Sequence, residues 1–144
     1  METWRRVVVG VDGSEGSGRA LRWAASEARA HGAELKVVTT YPAPSPRLAT
    51  EFGSAPWLER TDWRGKAEAA LESTVRDALG ENPGVPVELT LAEGSAAKTL
   101  IDLSADADML VVGTRGHGGF AGLLLGSVSQ HVVAHARCAV TVVR

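Results

Sequence analysis

The stretch VVGTRGHGGFAGLLLGSVSQH, residues 111–131, holds six glycines between a β-branched run and a segment that reads as a helix. Gly113 and Gly116 permit backbone conformations and close approaches that a Cβ would obstruct. Gly126 stands directly before a helix expected to open near Ser127. The first N–H groups of a helix have no intrahelical acceptor, and the helix dipole places partial positive charge there. With the hydroxyls of Ser127 and Ser129 added, such a turn can hold an anion, and phosphate is the natural guest. Arg115 supplies a fixed charge, while His117 could touch a phosphate or stand in solvent. A second reading competes: Ser127-Val128-Ser129-Gln130 matches a capping box, in which serine and glutamine merely satisfy backbone donors. Capping and phosphate binding are compatible, and a cap leaves Gly118, Gly119 and Gly122 without a purpose. A merely flexible glycine loop is the remaining alternative.

The elements that must position these residues can be read from hydrophobic periodicity. Five valine-rich runs, 5–11, 34–40, 85–91, 109–113 and 139–143, are short, and three are nearly continuous, as strands buried on both faces are. Helical patterns alternate with them. Residues 14–31 carry Leu21, Ala24, Ala25 and Ala28 as a stripe and stop at Gly32; residues 61–79 carry Leu71, Val75 and Leu79 and stop at Gly80. Shorter helices are expected over 95–104, with Leu100 and Ile101 inward, and over 127–136. The alternation predicts an α/β fold: a three-layer, doubly wound open sheet of five mainly parallel strands with about four helices, Rossmann-like. Pro42, Pro44, Pro46 and Pro56 make 42–60 one long loop, with Phe52, Trp57 and Trp63 anchoring it or lining a base.

A length of 144 residues suits one domain, 1–144. No window approaches the roughly 18 apolar residues of a membrane span. Trp4-Arg5-Arg6 runs straight into the first strand without a secretory signal, so the expected location is the cytoplasm. Cys138 has no partner cysteine and reads as a small apolar side chain. Seventeen Asp and Glu against twelve Lys and Arg leave residues 1–108 at −5, whereas Arg115, Arg137 and Arg144 give residues 109–144 a charge of +3. That segment would attract a small anion but is too weakly basic for duplex DNA, so no nucleic-acid partner is expected.

Two familiar nucleotide signatures are missing: no G-x-x-x-x-G-K-[ST] occurs, and Gly10-Val11-Asp12-Gly13-Ser14-Glu15-Gly16 does not fit G-x-G-x-x-G. Gly113-x2-Gly116-x9-Gly126-Ser127 instead resembles the ATP-binding signature of the universal stress protein family, and Val9-Gly10-Val11-Asp12-Gly13-Ser14 resembles its opening strand and turn. The resemblance covers nearly the whole chain except the loop from Pro42 to Arg60. It implies that Asp12 and the backbone near Gly10, Val11 and Thr40 border adenine and ribose. By the same resemblance Gly113, Arg115 and Gly116 approach ribose and phosphates, and Gly126, Ser127, Val128 and Ser129 hold the phosphate chain of ATP, with His117 beside them as a candidate phosphate contact. Magnesium would be held mainly by the phosphates themselves. The resemblance further implies a homodimer through the last strand, although the proline common at that strand's start is replaced by Ala139.

Efficient hydrolysis needs a group that orients and deprotonates water, and from Met109 onward there is no carboxylate. The expectation is therefore an ATP-binding regulatory or stress-response module with little or no turnover. The alternatives are a slow ATPase or phosphotransferase, including one acting on itself, and a nucleotide-free dimeric interaction module. His131 and His135 share a helix face at i, i+4 but lack a third ligand, so no metal site is expected. Asp102, Asp106 and Asp108 are expected to be solvated.

Overall fold

The computed structural model describes residues 3–43, 62–114 and 125–144. In chain order the elements are β1 (Arg6–Gly10), α1 (Glu15–His31), β2 (Glu34–Tyr41), α2 (Trp63–Leu79), β3 (Val87–Glu93), α3 (Ala96–Ser104), β4 (Met109–Gly113), α4 (Ser127–His135) and β5 (Ala139–Val143). The strands form one sheet in the order β3-β2-β1-β4-β5, and every pairing is parallel. The expected doubly wound α/β architecture is what the chain adopts.

Parallel strands need crossover connections, and the helices of those crossovers cover both faces of the sheet. Val7, Val8 and Val9 on the central strand are each 0% exposed, so successive side chains are buried on opposite sides. Val7, Val9, Leu35, Val37 and Val111 pack with Leu21, Ala24, Ala25 and Ala28 of α1 and Leu71 of α2. Val8, Val38, Leu110 and Val112 pack with Leu100 of α3 and Val132 of α4. Alanines on the inner stripe of α1 let that helix lie close to the sheet. Each fully buried valine or leucine contributes about 1.5–3 kcal/mol of transfer free energy, an upper bound before chain entropy is charged against it.

Helix ends follow the chemistry read from the sequence, with small shifts. Ser14 and Ser95 are N-caps rather than first helical residues, and α2 is capped by Asp62, whose carboxylate accepts from the Gly65 amide at 2.9 Å. Gly32 closes α1 in the left-handed region, at φ 64°. The third strand begins two residues later than expected because Pro86 has no amide hydrogen to donate; its carbonyl still accepts from Leu35 N–H at 2.9 Å, and register pairing starts at Leu35 with Val87. Beyond β2, Pro42 and Ala43 carry no regular structure. The rest of the proline segment, with Phe52 and Trp57, lies outside the described residues, while Trp63 opens α2.

Two residues read as bland have definite partners. Asp108 is not merely solvated: one carboxylate oxygen accepts from the amides of Arg5 at 2.7 Å and Arg6 at 3.0 Å, tying the turn before β4 to the start of β1. Those backbone hydrogen bonds, Arg5 first, hold its pKa below the usual carboxylate value. Cys138 is half-buried against the α3 and α4 side of the core, and burial raises its thiol pKa. Trp4 stacks on His31 with ring centroids 3.7 Å apart. No helix among the described residues is long and apolar enough to cross a membrane.

Candidate functional site

In an open parallel sheet the crevice lies at the carboxyl ends of neighbouring strands whose connections leave toward opposite faces. Here those strands are β1 and β4. The connection from β1 enters α1 on one face, and the one from β4 enters α4 on the other. Thr40 on β2, Gly10 at the end of β1 with Val11 and Asp12 just after it, Gly113 at the end of β4 and the Gly126–Ser129 turn therefore all stand along the carboxyl-terminal side of the sheet.

On the β1 side the backbone is tightly set. Val11 N–H donates to the Val38 carbonyl at 2.9 Å, which prolongs the β1 and β2 pairing toward Thr40. A Cβ on Gly10 would stand 2.8 Å from Leu100 Cδ1, so α3 packs directly on this position. Asp12 is exposed, and its Oδ1 accepts from the Ser14 amide at 2.9 Å across Gly13, whose φ is 86°. The buried Ser17 hydroxyl in turn accepts from the Asp12 amide at 3.3 Å. The turn that carries Asp12 is thus held by its own side chains, as Asx and ST turns are.

On the β4 side, a Cβ on Gly113 would meet the backbone of α1, 3.2 Å from the Gly16 carbonyl oxygen. Gly126 N–H donates to the Thr114 carbonyl at 2.6 Å, and Thr114 N–H donates to the Val143 carbonyl at 3.1 Å. The capping box that competes as a reading of Ser127-Val128-Ser129-Gln130 does not form. The N-cap is Gly126, one residue earlier, and no side chain among the described residues caps the helix. Ser127 and Ser129 consequently occupy the first and third helical positions. The Ser129 hydroxyl donates to the Gly113 carbonyl at 2.5 Å, and Gln130 Nε2 donates to the Leu125 carbonyl at 2.8 Å.

This leaves α4 unlike α1, α2 and α3, whose first turns receive side-chain oxygens from Ser14, Asp62 and Ser95. Among the described residues, no carbonyl or side chain accepts from the amides of Ser127, Val128 and Ser129. Three adjacent N–H donors at the positive end of a helix dipole, beside a strand-end crevice, match the donor set a phosphate group needs. Arg115, Gly116 and His117 lie outside the described residues.

A hollow of about 430 Å³ adjoins this turn, between the N-terminal ends of α3 and α4, with Ser95, Lys98, Ile101, Ser127, Val128 and His131 among its lining. Lys98 was missed in the sequence; it is paired with Asp102 at 3.5 Å, and only the packing of α3 against α4 brings it here. Nδ1 of His131 lies 3.1 Å from the Ser127 carbonyl, and its ring centroid is 6.2 Å from that of His135. Among the described residues no group of three or more His, Cys, Asp or Glu is placed to hold a metal ion.

Comparison with known proteins places the chain among relatives. The model of the universal stress protein family matches residues 3–144. A universal stress protein of Mycolicibacterium smegmatis is 39% identical over 95% of this chain and 47% of its own length. Another, from the QAH/OAS sulfhydrylase 3′ region of Thermus aquaticus, is 35% identical over 98% of this chain and 99% of its own. This chain therefore spans about half of the mycobacterial relatives and nearly all of the Thermus one. A universal stress protein solved in complex with cAMP superimposes with a TM-score of 0.69 and 30% identity, covering 99% of this chain and 98% of that one.

Proposed function

Because the chain belongs to the universal stress protein family, we propose that it is an ATP-binding regulatory module of the cytoplasm that retains its nucleotide with little or no hydrolysis. Adenine and ribose lie beside Gly10, Val11, Asp12 and Thr40. The phosphates lie against Gly113 and the Gly126–Ser129 turn, with Arg115, Gly116 and His117 approaching from the connecting segment. The observation that carries this reading is the first turn of α4, whose three leading amides have no acceptor among the described residues. The relative solved with cAMP supports an adenine nucleotide as the ligand class. Slow turnover is expected because no Asp or Glu follows Asp108 and the acid placed at the crevice, Asp12, sits on the nucleoside side with Oδ1 accepting from the Ser14 amide. Magnesium, if it accompanies ATP, is held mainly by the phosphates. We further infer that 1–144 acts as one nucleotide-binding unit and that β5, which among the described residues is an edge strand paired to β4 alone, joins two copies.

Titration of the purified protein with ATP and magnesium tests the reading. Backbone donors and one arginine, without a P-loop lysine, are expected to give a dissociation constant on the order of micromolar. No saturable heat or fluorescence change up to millimolar ATP would reject it. Sedimentation of the same preparation tests the dimer, and a purely monomeric species would remove that part.

A further inference from the structure

The two serines of the α4 turn are not equivalent. Ser127 is exposed, whereas Ser129 is 4% exposed and its hydroxyl donates to the Gly113 carbonyl at 2.5 Å. A hydroxyl carries one proton. Given to Gly113, that proton is not available to a phosphate oxygen, although the Ser129 backbone amide still is. Two neighbouring carbonyls at the end of β4 therefore grip the entry to α4: Gly113 through the Ser129 hydroxyl, and Thr114 through the Gly126 amide at 2.6 Å. Between those two grips lie Ser127 and Val128.

We propose that Ser129 is a positioning residue for the phosphate chain: its hydroxyl fastens the first turn of α4 to the end of β4, aims the amides of Ser127, Val128 and Ser129, and does not itself touch the nucleotide. The inference rests on the nucleotide reading above. It assigns the side chain the opposite task from the one a phosphate-binding serine would have. Without the hydroxyl, the turn keeps its tie from Gly126 to Thr114 and the anchorage of Val132 in the core, but its third residue is no longer fastened to the end of β4 and the first-turn amides can tilt. Amides that must converge on one group then lose alignment, and alignment is where preorganised donors derive their advantage. The nucleoside half of the ligand lies at β1 and β2 and is indifferent to this tilt.

The test compares ATP and adenosine on the wild-type protein, Ser129→Ala and Ser129→Thr. Expected is a loss of about tenfold in ATP affinity for Ser129→Ala, adenosine affinity within about twofold of wild type, and recovery of ATP binding in Ser129→Thr, which keeps the hydroxyl. Unchanged ATP affinity in Ser129→Ala overturns the proposal, as does an equal loss for ATP and adenosine, which marks a general structural clip. Should Ser129→Ala fail to fold, proton NMR of the wild type decides. A Ser129 hydroxyl proton protected from exchange both with and without ATP supports the role; loss of that protection on adding ATP shows the hydroxyl turning to the phosphate and overturns it. Wild-type protein that binds neither ligand sinks the nucleotide reading itself, a different outcome from ATP binding that ignores position 129.

Discussion

A methyl group on Gly113 would stand 3.2 Å from the carbonyl oxygen of Gly16, so the end of β4 and the first turn of α1 lie too close for a side chain at this position unless one of them gives by a few tenths of an ångström. The same Gly113 accepts the Ser129 hydroxyl. One residue thus joins the turn that follows Asp12 to the turn that opens α4. Gly113→Ala is expected to push α1 back, because the obstructing atoms are backbone and cannot rotate aside. A cost of about 1–2 kcal/mol is expected, the range for inserting a methyl into a packed interior. Chemical denaturation checks it: a midpoint unchanged from wild type would show that α1 gives way freely.

Asp108 makes stability depend on acid. Its carboxylate accepts from the Arg5 and Arg6 amides, and its pKa is lowered accordingly. A group with a depressed native pKa contributes stability above its unfolded pKa and loses it as pH falls through the native value. Asp108→Ala should therefore lower stability by about 1 kcal/mol at pH 7, a modest figure because the side chain is exposed. The gap between variant and wild type should close as pH drops below about 4, the unfolded carboxylate range. Urea midpoints at pH 7 and pH 3 measure both numbers. A gap that persists undiminished at the lower pH would show that charge is not what the two amides recognise.

Much of this was legible in the chain. Runs such as Val7-Val8-Val9 and Leu110-Val111-Val112 announce strands covered on both faces, and Gly32 and Gly80 mark helix ends, because these are local consequences of side-chain shape and backbone freedom. What could not be read depends on distant partners. Asp108 meets Arg5 across 103 residues, and only the adjacency of β1 and β4 brings them together. Lys98 reaches the hollow beside Ser127 through helix packing that no spacing reveals. The capping box failed for a subtler reason. Serine, any residue and glutamine at the right spacing cannot say whether Ser127 or the glycine before it is the cap, and glycine is also a permitted N-cap. A shift of one residue moved Ser129 from candidate phosphate hydroxyl to partner of Gly113.

Caps at the other helices should affect stability and not ligand. The Asp62 carboxylate accepts from Gly65 N–H at 2.9 Å at the start of α2, which packs on α1, β2 and β3. Asp62→Ala removes that acceptor and is expected to cost about 1 kcal/mol. ATP affinity should stay within about twofold of wild type. Thermal unfolding and an ATP titration on one preparation decide it. A parallel loss of stability and affinity would indicate that the nucleotide reaches α2 and that its base has been misplaced.

Gly126→Val should do the reverse. The φ of −72° and ψ of 169° at Gly126 are extended backbone that valine adopts readily, so strain gives no reason for the fold to fail. Its amide still donates to Thr114 and its carbonyl still accepts from Gln130 N–H at 3.0 Å. What changes is the space immediately before the amides of Ser127 and Val128, where a branched side chain now stands. If the phosphates settle there, the variant keeps its unfolding transition within about 1 kcal/mol of wild type yet loses at least about a hundredfold in ATP affinity, some 2.7 kcal/mol. Adenosine, proposed to lie at the β1 and β2 ends, should bind as before. A Gly126→Val protein that binds ATP as tightly as wild type would place the phosphates elsewhere along the carboxyl-terminal side of the sheet and leave the open amides of α4 without a ligand.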